Sequence, residues 1–226
     1  MRPTAPEPDA GPWTPRAFGG LVAELLSLLP AHPAGPAVLA VDGRSASGKS
    51  TLAERIAASV PGSCVVHTDD VAWWESFFGW DRLLAEGVLA PARRGQAVAF
   101  RPPAWDARGR VGAVEVPAGT ALVVVEGVGA SRRSMLGLVD ASVWVQCDEA
   151  EARRRGVERD GGDAAAEAFW DEWDAEEVPF LADDRPWERA AAVVCGTPSL
   201  AGVPHDPVTE VLVGHTLRPR DRPMRR

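Results

Sequence analysis

Tyrosine and asparagine are absent from this chain of 226 residues, and lysine and isoleucine occur once each. Without asparagine or a second lysine there is no N-K-x-D element, the pattern by which regulatory GTPases read guanine, so that class is excluded. The same bias looks like GC-rich coding, so the Arg, Ala, Gly and Pro counts carry little meaning individually. Cysteine is scarce. Cys64, Cys147 and Cys195 lie far apart, each in its own apolar run. An odd, dispersed set argues against a disulfide framework and reads as reduced core residues of a cytoplasmic protein. No apolar run approaches the roughly 20 residues that span a bilayer, and no signal-peptide pattern opens the chain. No membrane partner is expected. A net charge of −8 argues against a general nucleic-acid-binding surface. The length suits one α/β domain with a substantial core, or one domain plus a small insert.

What is present centres on Gly43-Arg44-Ser45-Ala46-Ser47-Gly48-Lys49-Ser50-Thr51. It fits G-x-x-x-x-G-K-[ST], a loop whose backbone N–H groups cradle phosphates. At average residue usage the pattern arises by chance in roughly one chain of this length in a hundred. The context sharpens it: 37–42 reads as a buried strand and 52–58 as the following helix, whose N-terminus adds partial positive charge. In this motif the lysine reaches the β- and γ-phosphates and the Ser50 hydroxyl ligates Mg²⁺. Lys49 is the chain's only lysine, and it stands at the motif position. It is expected to be an exposed phosphate contact.

Residues 1–15, rich in Pro and acidic side chains, read as a disordered or loosely draped arm. Phe18 to Leu29 has helical spacing and suits a helix packed at the sheet edge. Ser63 to His67 reads as a strand running into Thr68-Asp69-Asp70. Ligands in open α/β sheets sit beyond the carboxyl ends of strands, so this acidic pair is well placed for chemistry. Residues of about 71–118 form an irregular insert with clustered Trp and Phe, and with Arg93, Arg94, Arg101, Arg108 and Arg110. Its aromatics either pack on the domain or stack on a flat ligand whose polar groups the arginines meet. Ala121 to Val125 is a continuous apolar run ended by Glu126-Gly127, suiting a strand buried on both faces, where many P-loop enzymes place an acidic residue near the metal. After a strand at 143–148 comes an arginine-rich helix containing Arg153, Arg154, Arg155 and Arg159. At least one of these is expected to touch phosphate. An acidic helix starting near Phe169 carries Trp170 and Trp173 at i, i+3, a core-packing spacing. Strands at 190–195 and 208–213 follow, the latter at the sheet edge, and then a basic tail over 215–226. Strands alternating with helices after a P-loop imply a parallel sheet covered by helices on both faces.

Taken together, the chain resembles the uridine kinase-like branch of the P-loop kinases, in particular short actinobacterial-type members. The resemblance covers about residues 37–198. It rests on Val41 through Ser50, on His67-Thr68-Asp69-Asp70 followed by Gly79-Trp80-Asp81-Arg82-Leu83, and on Arg101 to Asp106. Val124-Val125-Glu126-Gly127, the arginine helix, and Trp170 through Phe180 to Gly196-Thr197 complete it, in the family's order. The resemblance implies a P-loop NTPase-type α/β fold, spanning 16–214, with a substrate-covering insert and a short lid at about 149–165 hinged at Gly161-Gly162. It implies ATP and Mg²⁺, held by 43–51 with Glu126 near the metal. It also implies a hydroxylated small-molecule acceptor such as uridine or cytidine. Asp69 looks like the base on the acceptor hydroxyl, Asp70 lies beside it, and Arg155 and Arg159 look like lid arginines on the transferring group. Asp106, with Arg101 and with Trp105 where members typically have Tyr, looks like part of the acceptor pocket. A non-nucleoside metabolite as acceptor, an ATPase and a non-catalytic ATP-binding module stay as alternatives. Self-association into a homo-oligomer stays open.

Overall fold

The computed structural model describes residues 1–216. In chain order the strands are β1 (Thr14–Ala17), β2 (Ala37–Gly43), β3 (Ser63–His67), β4 (Val98–Phe100), β5 (Val114–Val116), β6 (Leu122–Glu126), β7 (Ala141–Gln146), β8 (Ala192–Cys195) and β9 (Glu210–Gly214). The first helices are α1 (Phe18–Ser27), α2 (Lys49–Ser59), α3 (Thr68–Ala72), α4 (Asp81–Leu84) and α5 (Ala90–Arg93), the last two joined by a π-turn, Ala85–Leu89. They are followed by α6 (Pro103–Ala107), α7 (Glu149–Arg159), α8 (Ala164–Asp184) and α9 (Pro198–Ala201).

Seven strands make one sheet in the order β1-β9-β8-β7-β2-β6-β3. The five from β8 to β3 are parallel, while β9 and β1 add antiparallel. This is the α/β class expected from the sequence. Every residue of β6 and all but the first of β2 are buried, as a strand covered on both faces requires. The two-residue period divides their side chains between layers. Leu39, Val41 and Val124 meet Leu21, Leu25, Leu52 and Ile56 of α1 and α2. Val38, Ala40, Val123 and Val125 meet Trp80, Leu84 and Leu89 from the insert. The insert carries its own hairpin, β4–β5. Among the described residues no helix is long and apolar enough to cross a membrane.

Two expectations are corrected. First, the arm over 1–15 is ordered. Its end becomes β1, paired with β9, so β9 is an interior strand rather than the edge. Glu7 is buried and accepts from the Trp144 indole Nε1 at 2.5 Å and the Gln146 amide at 2.6 Å. The Ala10 N–H donates to Gln146 Oε1 at 2.8 Å. The physical reason lies in β7, which buries the polar ends of Trp144 and Gln146. Buried donors and acceptors need partners, and the arm supplies them. Second, α8 begins at Ala164, capped by the Asp163 carboxylate on the N–H groups of Ala165 and Ala166. In the segment read as a lid, Arg153 of α7 pairs with Glu167, Asp171 and Asp174 of α8. Its two glycines do lie between α7 and α8, both at positive φ. The basic tail, apart from His215 and Thr216, lies outside the described residues.

The arm's role can be measured. Glu7→Ala leaves the Trp144 and Gln146 donors unpaired in the core, at about 1–3 kcal/mol for each buried group stranded. We expect the variant to lose about 2–6 kcal/mol of unfolding free energy in a urea titration, by the same scale. Deletion of residues 1–7 should match it. A change within error for both would show that the arm is not structural.

Candidate functional site

Register brings the site together. Both Val41 and His67 pair with Glu126, so three parallel strands end level. Whatever follows each of them meets at one edge: the P-loop after β2, Thr68-Asp69 after β3, and Gly127 after β6. The last junction leaves no room for a side chain, because a Cβ on Gly127 would overlap the Thr68 hydroxyl. That contact accounts for Glu-Gly at the end of β6.

The P-loop turns through Gly48, at φ 98°, a conformation that strains any residue with a Cβ. Lys49 opens α2 but is buried, 6% exposed, and its Nζ donates to the Arg44 carbonyl at 2.8 Å. The expectation of an exposed lysine is therefore corrected: the ammonium lies inside its own loop, bonded to a loop carbonyl. Asp42 is fully buried and takes four hydrogen bonds, from the N–H groups of Gly43, Gly129 and Ser131 and from the Ser131 hydroxyl. Burial raises its pKa, against those donors. It knots β2 to the turn after β6 and does not face the cavity.

Three carboxylates do line it, Glu126, Asp69 and Glu75. Glu126 accepts from His67 Nδ1 at 2.8 Å, and the Ser50 hydroxyl lies against it. Burial pushes the Glu126 carboxyl up, but the His67 hydrogen bond and the Lys49 charge outweigh it, and the net shift is downward. His67 moves the other way: its hydrogen bond to Glu126 raises it, although burial opposes. Asp69, in the first turn of α3, opens onto the cavity and is reached by solvent. Protein nevertheless surrounds most of the carboxyl. This desolvation raises its pKa, with Glu126 adding to the rise and Lys49 and Arg159 opposing it.

Of the remaining site residues read from sequence, Ser45 to Ser50 and Arg159 line the same cavity, of about 340 Å³. Thr51 and Arg155 do not. They line a second cavity of about 250 Å³ across α2, with Gly196, Pro198 and His205, and Gly48 borders both. Arg155 donates to the Gly196 carbonyl at 2.9 Å rather than facing Asp69. Asp70 is held by Arg110, and its carbonyl accepts the Trp105 indole N–H at 2.9 Å. Arg101 is bound to Asp106 at 2.7 Å. Thus Arg101, Trp105 and Asp106, expected around an acceptor, instead build the insert that supports α3. Their polar groups find partners within it. The cavity is lined by other aromatics, among them Trp73, Phe77, Phe78, Trp170 and Trp173.

Sequence reasoning missed one support. Glu177 of α8, buried, accepts from the Ser45 N–H at 2.8 Å and from Arg44 at 3.3 Å, while Arg44 also faces Glu7 at 3.5 Å. This acidic pair fixes the first turn of the P-loop. Nothing marks Glu177 among the neighbouring acids of α8. The partner need of Gln146 in an otherwise apolar strand was a signal for Glu7.

The His67–Glu126 pair makes stability pH-dependent in a defined window. The raised His67 pKa gives stability that is complete below its ordinary 6.5 and lost as pH rises through the folded value. The lowered Glu126 pKa gives stability that is complete above its ordinary 4.5 and lost as pH falls through the folded value. Between those two ordinary values both contributions are in place. The difference in melting temperature between wild type and His67→Gln should be largest there and shrink on the alkaline side. A difference independent of pH would mean that the pair is not charged.

No protein-family model and no curated protein matches this sequence. Solved structures do. A "putative fructose transport system kinase" from Silicibacter sp. TM1040 superposes with a TM-score of 0.53 at 21% identity, over 76% of this chain and 93% of that one. A "possible uridine kinase" from Bacillus stearothermophilus superposes with a TM-score of 0.50 at 21% identity, over 78% and 96%. The chain therefore has the mostly parallel α/β fold of P-loop kinase-like proteins. At that identity the likeness is one of fold.

Proposed function

We propose that this protein transfers the γ-phosphoryl group of ATP to a hydroxyl of a small molecule. One observation carries the reading: of the cavities that the P-loop borders, one sets a carboxylate, Asp69, opposite the phosphate-binding lysine. A nucleotide needs the cavity across α2 for its base and sugar, with Gly48 passing its phosphates to the other side. A second space walled by aromatics is what an acceptor requires and a plain hydrolase does not.

The residues fit Mg²⁺–ATP on donor chemistry. The Ser50 hydroxyl and the Glu126 carboxylate are hard oxygen ligands. Among the described residues no group of three or more His, Cys, Asp or Glu could form an all-protein cage. Water and phosphate oxygens would complete the shell, as Mg²⁺ prefers. When bound, the ion neutralises charge on the phosphates. The protein's part is positioning and electrostatics, which dominate phosphoryl transfer. Lys49 exchanges the Arg44 carbonyl for a phosphate oxygen. Arg159, across from Asp69, adds charge on the transferring group, while Glu177 and Arg44 keep the loop turned. Asp69 orients the acceptor hydroxyl and accepts its proton. Its raised pKa moves it toward the working pH, where a general base is most effective.

The uridine or cytidine acceptor is implied by the resemblance as a whole, while Arg101, Trp105 and Asp106, which it places in the acceptor pocket, do not line the cavity. The reading therefore extends to a hydroxylated small molecule. Its test is ADP release by purified protein with and without an acceptor panel, with mass spectrometry for an added phosphate. Acceptor-independent hydrolysis would point to an ATPase, and ATP binding without turnover to a non-catalytic module.

A further inference from the structure

We infer that Glu7 of the N-terminal arm is a positioning residue for the nucleotide, acting through Arg44, so that docking of the arm and nucleotide binding strengthen each other; this rests on nucleotide binding by the P-loop in the reading above. Arg44 is the second residue of that loop. Its carbonyl accepts from the Ser47 N–H at 3.2 Å and from Lys49 Nζ at 2.8 Å. Where Arg44 stands therefore decides where the lysine and the loop N–H groups start from. Its guanidinium does not line the Asp69 cavity and is buried on the far side of the loop. A buried charge needs compensation where it lies. Arg44 finds it in the Glu177 carboxylate at 3.3 Å, the Thr4 carbonyl at 3.4 Å and Glu7 Oε2 at 3.5 Å. Two of these three partners belong to the arm.

The two oxygens of Glu7 have separate partners. Oε1 accepts from the Trp144 indole and the Gln146 amide, which fixes the arm to the core. Oε2 and Arg44 Nε are both buried, and neither has a hydrogen-bond partner among the described residues. They face each other across 3.5 Å, just beyond the roughly 2.7–3.2 Å of an N–H···O bond. Each is thus left to the other, and a small advance of the loop would bond them. Glu177 cannot replace this contact alone, because its other oxygen already accepts from the Ser45 N–H at 2.8 Å. Without the Glu7 charge the guanidinium is drawn to α8 from one side only. The arm also reaches the helix that carries Arg155 and Arg159. The Arg2 N–H donates to the Asp148 carboxylate at 2.9 Å, and the Arg2 carbonyl accepts from the Glu149 N–H at 3.0 Å. The arm thus joins the P-loop to the start of α7. If its docking favours the turn that binds phosphate, bound phosphate must favour docking by the same factor.

The test uses ADP with Mg²⁺ on the full chain, so that no transfer intervenes. Glu7→Gln keeps an oxygen for Trp144 and Gln146 but sets an amide against Arg44 in place of the charge. By calorimetry it should weaken ADP at least about 5-fold, the lower end of usual coupling between two parts of a protein. Trp144→Phe is the structural control. It removes one donor to Oε1, leaves Gln146 there and does not touch Oε2, so it should lower the urea midpoint and leave ADP affinity unchanged. In an Arg44→Met background Glu7→Gln should have no further effect, because its partner is gone. In the wild type, ADP should slow hydrogen exchange of the Ala10 N–H, which is bonded to Gln146. Unchanged ADP affinity in Glu7→Gln overturns the inference, and so does equal weakening by Trp144→Phe. An undiminished effect of Glu7→Gln on Arg44→Met, or Ala10 exchange indifferent to ADP, overturns it as well. Should Arg44→Met fail to fold, the comparison of Glu7→Gln with Trp144→Phe decides. Transfer to the acceptor panel is scored separately on the wild type. Coupling of the arm to ADP with no transfer supports the role of Glu7 and removes the phosphotransferase reading, whereas transfer with ADP affinity intact in Glu7→Gln does the reverse.

Discussion

Lys49→Ala should reduce acceptor-dependent phosphoryl transfer by at least about 10²–10³-fold, the loss found when one preorganised donor to a developing charge is removed. The ammonium sits where charge on the γ-oxygens builds up, and the chain holds no second lysine to replace it. Arg159 lies across the cavity and is already engaged with Asp160 at 2.8 Å. Because Lys49 is buried and bonds the Arg44 carbonyl at 2.8 Å, the substitution also removes one of that carbonyl's two hydrogen bonds, the Ser47 N–H keeping the other, at a cost of about 0.5–1.5 kcal/mol. Transfer, ATP affinity and urea stability must therefore be measured on one preparation. The expected outcome is a folded, somewhat less stable protein with weakened ATP binding and turnover near background. Full turnover by a folded Lys49→Ala protein would remove the phosphotransferase assignment.

The parts of this site that were legible in the sequence are those in which chemistry and chain order coincide. Gly43 to Thr51 is one continuous segment, and its strand and helix are written directly on either side of it. Asp69 and Glu126 follow apolar runs, so their place at a strand end could be read before any register was known. Side-chain direction across elements was not legible. Arg155 and Arg159 are one helical turn apart, yet the first turns to Gly196 and the second to the Asp69 cavity, because the start of α2 divides the space between them. Arg101, Trp105 and Asp106 lie in the expected order, but Asp70 and Arg110 give them partners inside the insert. Composition misled at the arm. Its prolines and acids suggest disorder in isolation, whereas the need for Glu7 arises from Trp144 and Gln146, more than 130 residues later.

Asp69→Asn should lower acceptor-dependent transfer by about 10²–10⁴-fold, the usual contribution of a positioned general base. The change is nearly isosteric and removes the proton-accepting charge alone. ATP affinity should hold or improve slightly, because a negative charge beside the phosphates is lost. Asp70 is the control written into the chain. Its carboxylate is held by Arg110 on the insert side of α3, so Asp70→Asn should loosen the insert and affect turnover far less. The pH profile adds a second, independent reading. Burial raises the Asp69 pKa above its ordinary 3.8, so the acid limb of turnover should lie above the ordinary aspartate range. In Asp69→Asn the residual activity should lose that limb. If Asp70→Asn is the variant that loses transfer, the assignment is displaced by one residue. If neither matters, Asp42 is excluded by its four hydrogen bonds inside the core. Glu126 then becomes the base, and Glu126→Gln, with His67 beside it unchanged, is the variant that decides.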